Sequence, residues 1–89
     1  MPVEEIVSEV IVRLAMDDCL ELRDMVRGHA GAVISVLAAA GVSTPDGGDK
    51  DRYFEAVAIG VNDLLTMTAE RGGFSDGFFF LVNQMRLGV

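Results

Sequence analysis

The sequence predicts an all-α fold, a small four-helix bundle with a long central second helix. Four stretches place apolar residues at alternating spacings of three and four, which is typical of helices with one buried face. Segments rich in glycine and other turn residues separate these stretches, and no apolar–polar alternation is long enough for a strand. A length of 89 residues predicts one domain that covers positions 1–89.

The first helix is expected between Pro2 and Met16, because proline suits a first helical position and Glu4 and Glu5 suit the positive end of the helix dipole. Val12 and Met16 fall on the polar side of this helix. The residues predicted to share its buried face are Val3, Ile6, Val7, Val10, Ile11 and Leu14.

The second helix is expected over positions 18–40. The apolar spacing continues through Gly28 and Gly31, which favours one long helix over two short ones. Its C-terminal half is apolar or small on nearly every side, which predicts a central place with Val33 fully buried. The predicted buried face comprises Cys19, Leu22, Val26, His29, Val33, Val36 and Ala40, widened by Met25, Ala30 and Leu37.

A loop over 41–50 leads to a third helix over 51–71, which Gly72 and Gly73 are expected to end. Its predicted buried face comprises Phe54, Val57, Ala58, Val61, Leu64, Leu65 and Thr68. Ser75 or Asp76 is expected to cap a fourth helix that runs to about position 86. On that helix the residues predicted to face the core are Phe78, Leu81, Val82 and Met85.

More apolar residues are present than these buried faces absorb. They make up 51% of the chain, whereas a chain of this size buries only about 63% of its surface on folding. Apolar residues outside the buried faces predict an interface, most simply that of a homodimer. The predicted interface residues are Val12, Met16, Tyr53, Ile59, Gly60, Met67, Phe80 and Leu87.

The net charge of −7 is spread along the chain, which disfavours direct binding to nucleic acid or to an anionic membrane. The longest apolar stretch, 30–42, would span only about 20 Å as a helix, too little to cross a bilayer. The N-terminus lacks the basic segment of a signal peptide, and a lone cysteine suits a reducing compartment. We therefore expect a cytoplasmic protein that contacts no membrane.

The residues needed for catalysis or metal binding are scarce. Cys19 and His29, the only histidine, lie ten residues apart on one predicted helix, about 15 Å along its axis. The loop over 46–51 has Gly48 and Lys50 where a calcium loop needs oxygen ligands. The sequence thus predicts no enzymatic activity, no cofactor and no metal site.

Two functions remain open. The first is a protein–protein interaction module, an adaptor or regulator that acts as an acidic helical homodimer on a protein partner of unknown identity. The second depends on Asp17, Glu21 and Asp24, whose spacing would put three carboxylates on one helix face about 5–6 Å apart. Such a row resembles a phosphate backbone. It predicts an inhibitor of the phage or mobile-element type that blocks a nucleic-acid-binding protein.

Overall fold

Four α-helices follow one another in the computed structural model, which describes residues 3–17, 19–42, 50–66 and 74–87. They are α1 (Val3–Arg13), α2 (Leu20–Ala39), α3 (Lys50–Leu65) and α4 (Asp76–Leu87). The described ranges contain no strand, so the all-α prediction is confirmed. Residues 43–49 of the predicted loop, with most of the candidate calcium ligands, lie outside the described residues, as does the helix end predicted at Gly72 and Gly73.

The central helix is α3, which packs against each of the other three helices. Its buried residues cover about 220° of its circumference at 100° per residue. They are Tyr53, Phe54, Ala56, Val57, Ala58, Gly60, Val61 and Asp63. These contacts do not confirm the prediction that α2 is central, because α2 packs mainly on α1 and α3 and leaves one side to solvent.

The apolar core draws on all four helices and on Val42, which follows α2. Val33 is fully buried, as the spacing predicts, and α2 runs without a break through Gly28 and Gly31. The buried apolar cluster comprises Ile6, Val7, Val10, Ile11, Val26, Ala30, Val33, Leu37, Val42, Tyr53, Phe54, Val57, Ala58, Val61, Phe78 and Val82.

Three helices meet closely at Gly60 of α3. A Cβ atom at this position would lie 2.8 Å from Cγ1 of Val33 on α2 and 3.0 Å from Cε1 of Phe78 on α4. The missing side chain is what lets both neighbours approach α3 at the same level. Gly60 is therefore part of the core and not one of the surface positions at which the sequence predicts an interface.

The C-terminus of α2 is closed by a glycine in the left-handed region, Gly41 at φ 89°. The N–H of Gly41 donates to the carbonyl of Ala38 at 3.0 Å, and the N–H of Val42 donates to the carbonyl of Leu37 at 2.8 Å. This pair of bonds is a Schellman motif, and the buried Val42 supplies the hydrophobic contact that accompanies it.

The C-terminus of α1 has the same motif with alanine in place of glycine. Ala15 has φ 54°, and its N–H donates to the carbonyl of Val12 at 3.1 Å. The N–H of Met16 donates to the carbonyl of Ile11 at 3.1 Å, and Met16 packs against the core. A residue with a Cβ atom thus occupies a conformation that favours glycine.

The start of α4 is fixed by Ser75, one of the two predicted caps. The N–H of Phe78 donates to Oγ of Ser75 at 3.4 Å. The N–H of Ser75 donates to Oδ2 of Asp63 at 2.9 Å, and Asp63 is only 6% exposed. A buried carboxylate of α3 therefore holds Ser75, the residue that caps the N-terminus of α4.

Candidate interaction surface

Two neighbouring phenylalanines of α4 are exposed. Phe79 is 47% exposed and Phe80 is 63% exposed, whereas Phe78 beside them is fully buried. Phe78 thus lies in the core and Phe80 on the outside, as the spacing predicts. Single exposed apolar residues are common on protein surfaces, but two adjacent aromatic rings on one helix form a patch.

Aromatic contacts place Phe79 at the border between the core and solvent. The rings of Phe74 and Phe78 stack with their centroids 4.5 Å apart. The ring of Phe79 meets both of them edge-on, 5.6 Å from Phe78 and 6.5 Å from Phe74. The ring of Phe79 is therefore held by core aromatics on one side and reaches solvent on the other.

Three polar side chains share the outward side of α4 with these rings. Asp76, Asn83 and Arg86 are all exposed. Together with Phe79 and Phe80 they occupy an arc of about 120° at 100° per residue. We call these five residues the α4 outer face. Four of the five, all except Phe80, are absent from the interface predicted from the sequence. Their spacing of three, one, three and three residues indicates one side of a helix and could have identified them.

The other predicted interface residues lie in different environments. Val12 is 74% exposed, whereas Met16 and Ile59 are half-buried and pack against the core. Tyr53 is 1% exposed and Gly60 is enclosed, so the structure corrects their predicted surface position, because α3 is buried on more than one side. Met67 and the side chain of Leu87 lie outside the described residues.

One group of charged residues links α1 to α2. Nη2 of Arg27 lies 2.6 Å from Oε1 of Glu4, and Nη2 of Arg23 lies 3.3 Å from its other oxygen. Arg23 also donates to Oγ of Ser8 at 2.9 Å. The hydrogen bond from Arg27 lowers the pKa of Glu4, with Arg23 adding to the effect and desolvation opposing it. The carboxylate of Glu4 is therefore stabilised in its charged form.

A second group links α1 to α3 through Arg13. Its guanidinium donates to Asp51 and to Glu55, each at 2.8 Å, and lies 5.8 Å from the ring centroid of Phe54. Its Nε lies 3.5 Å from a carboxylate oxygen of Glu9. Desolvation alone would lower the pKa of Arg13, but the hydrogen bonds to Glu55 and Asp51 raise it overall.

The three acidic residues predicted to form one helix face differ in their surroundings. Asp17 lies before the first residue of α2, so the helical spacing does not apply to it. Glu21 is exposed in the first turn of α2. Asp24 pairs with Arg27 through atoms 2.6 Å apart. At least one of the three carboxylates is thus neutralised by an arginine of the same helix.

Cys19 and His29 do not approach each other. Cys19 occupies the N-cap position of α2 and is exposed, not part of the buried face that the spacing predicts. His29 is half-buried ten residues further along the helix. The described ranges hold no group of three or more histidine, cysteine, aspartate or glutamate side chains placed to bind a metal ion.

No helix in the described part of the chain combines the length and the apolar character needed to cross a membrane. Comparison of the chain with protein-family models, curated proteins and solved structures finds no match.

Proposed function

We propose that the chain is a non-enzymatic protein–protein interaction module, an adaptor or regulator that acts in the cytoplasm as a homodimer. The observation that carries this proposal is the exposed pair Phe79 and Phe80 on α4. Among the described residues this helix packs principally on α3, and the side that carries Phe79 and Phe80 is exposed.

The physical argument concerns the cost of leaving aromatic rings in water. Burying apolar surface contributes about 25 cal/mol for each Å², and aromatic side chains are the largest contributors at protein interfaces. The apolar side chains on the inner side of α4, Phe78 and Val82, are already buried within the protomer. Phe79 and Phe80 therefore gain most of their remaining burial from a second molecule.

The ion pairs favour this module over the nucleic-acid mimic. A mimic of a phosphate backbone needs carboxylates that remain free to meet cationic groups on its target. Here Glu4, Glu9, Asp24, Asp51 and Glu55 each pair with an arginine of the same chain. These carboxylates support the fold more directly than they support an electrostatic copy of DNA.

Sedimentation equilibrium tests the proposal. Wild-type protein at concentrations up to about 100 μM should reach a mass near twice 9.5 kDa, with the dimer fraction following mass action. Phe80→Ala should weaken this association while the circular dichroism of its helices stays unchanged. A monomer over the whole concentration range would overturn the homodimer.

Phe78→Ala is the matched variant on the buried side of the same helix. It removes a fully buried ring and should cost about 3–5 kcal/mol of folding free energy. Thermal melts at several protein concentrations separate the two effects, because a loss of dimer depends on concentration. Equal, concentration-independent loss of helicity in both variants, with association unchanged in Phe80→Ala, would place Phe80 in the folding core.

A further inference from the structure

The two ends of the α4 outer face carry opposite charges. Asp76 lies in the first turn of α4 and Arg86 in the last, about 15 Å apart along the axis. Phe79, Phe80 and Asn83 lie between them and carry no charge. A helix face with an acid at one end, a base at the other and aromatic rings between is complementary to itself when one copy is turned end to end.

We infer that the α4 outer face binds the same face of a second copy, with the two helices antiparallel about a two-fold axis near position 81. This inference rests on the proposed homodimer and names its interface. In this arrangement Asp76 of each copy lies beside Arg86 of the other. Phe79 lies opposite Asn83, and the four phenylalanine rings of the two outer faces gather around the axis.

Charge complementarity favours a second copy of the chain as the partner and an antiparallel orientation of the two helices. A parallel pair would put Asp76 against Asp76 and Arg86 against Arg86, and like charges at such distances are destabilising. The antiparallel pair replaces both repulsions with attractions and also opposes the two helix dipoles. Two copies that each carry −7 repel one another in general, so their contact is favoured where the opposing charges cancel.

The area of this face sets the expected affinity of the dimer. One side of a 12-residue helix offers much less than the roughly 800 Å² per partner of a standard stable interface. The dimer should therefore dissociate at micromolar concentrations. The ion pairs at its rim should affect orientation more than affinity.

Charge reversal tests the inference in the full chain. Asp76→Arg and Arg86→Asp should each raise the dissociation constant of the dimer about tenfold, because each creates two like-charge contacts. The double variant Asp76→Arg with Arg86→Asp should return to within about twofold of wild type, since both pairs are restored in reverse. Leu20→Glu is the matched control: Leu20 is 75% exposed but lies on α2, so this variant should associate like wild type.

A mixture of the two single variants gives a second measurement that does not depend on the double variant. It should form heterodimers at concentrations where each variant alone is monomeric, with circular dichroism verifying that α4 is intact. A wild-type dimer whose dissociation constant is unchanged by every charge reversal would overturn the α4 pairing and leave the homodimer standing. Weaker binding in the single variants without recovery in the double variant and the mixture would also overturn it. A wild-type monomer would overturn the homodimer together with its interface and leave the face to a different protein.

Discussion

Glycine residues inside α2 and α3 have very different surroundings within the protomer. At Gly60 an added Cβ atom would lie within 3.0 Å of both methyl carbons of Val33. Valine is stiff about χ1, so its methyl groups cannot move aside without a change of rotamer or a shift of the backbone. At Gly28 and Gly31 an added Cβ atom would have nothing within 4 Å. Of these three glycines, Gly60 is the one that helix packing requires.

Opposite changes in stability are therefore expected for the same substitution. Gly60→Ala should destabilise the protein by a net of about 1–2 kcal/mol, because overpacking outweighs the gain in helix propensity. Gly31→Ala should stabilise it by about 0.5–1 kcal/mol, since alanine is the better helix former at an open position. Urea unfolding of both variants measures the two values, and a change of the same sign in both would contradict the packing at Gly60.

At the scale of the helix, α1 and α2 end in the same hydrogen-bonding motif with different residues at its left-handed position. Ala15 has φ 54° and Gly41 has φ 89°. A left-handed conformation costs a residue with a Cβ atom roughly 1–2 kcal/mol, while glycine costs about 0.5–1 kcal/mol more entropy on folding. The first effect is larger, so glycine is the better residue at both positions.

Exchange of the two residue types should change stability in opposite directions. Ala15→Gly should stabilise the fold by about 0.5–1 kcal/mol, and Gly41→Ala should destabilise it by about 1 kcal/mol. Thermal melts of both variants in one buffer provide the comparison. Destabilisation by Ala15→Gly would mean that the end of α1 does not adopt this motif in solution.

The sequence pattern predicts the approximate positions of the helices, and it predicts the buried residues of α1 and α4 because each of these helices buries one side. The exception is Val3 of α1, which is expected to be buried and is 44% exposed. The same rule fails for α3, which is surrounded by three helices. A single buried face therefore could not predict that Tyr53 and Gly60 are enclosed. A boundary error of two residues at α2 explains Cys19, which precedes the first helical residue. Asp17 precedes even the predicted range 18–40, so its helical spacing from Glu21 and Asp24 has no helix behind it.

The α4 outer face was predicted only through Phe80. The 3.6-residue rule identifies which residues leave the core, but it does not say which polar residues lie beside them. Phe79 is not among the predicted interface residues, because its neighbour Phe78 takes the core position. The exposed fraction of Phe79 depends on how closely α4 packs against α3. That approach is set by Gly60 on the facing helix, a contact between segments distant in sequence.

At the scale of the whole molecule, the chain is as compact as its length predicts, and charged side chains link its helices at the surface. The radius of gyration is 12.3 Å, close to the roughly 12 Å expected for 89 residues. Arg13 links α1 to α3, and Arg23 with Arg27 links α1 to α2. The first helix is therefore held by apolar packing on its inner side and by arginines at both of its ends.

The pH dependence of stability should reveal the link between α1 and α2. The pKa of Glu4 is lowered in the folded protein, chiefly by Arg27, from an ordinary value of 4.5. Its contribution to stability is therefore fully present above about pH 4.5 and is lost as the pH falls through the lower folded value. Glu4→Gln should be slightly less stable than wild type at pH 7, and the two proteins should converge in acid, where Glu4 is protonated. The difference should be small and should shrink in salt, because Glu4 is 56% exposed.

Chemical denaturation at a series of pH values measures this convergence. Glu5→Gln, one residue further along α1 on an exposed side chain, controls for the loss of one negative charge from an acidic protein. If Glu4→Gln and Glu5→Gln raise stability equally at pH 7, relief of general repulsion dominates and the arginine pairs contribute nothing. If only Glu4→Gln lowers stability, and does so at pH values where Glu4 of the wild type is ionised but not in acid where it is protonated, the arginines of α2 hold α1 in place through that carboxylate.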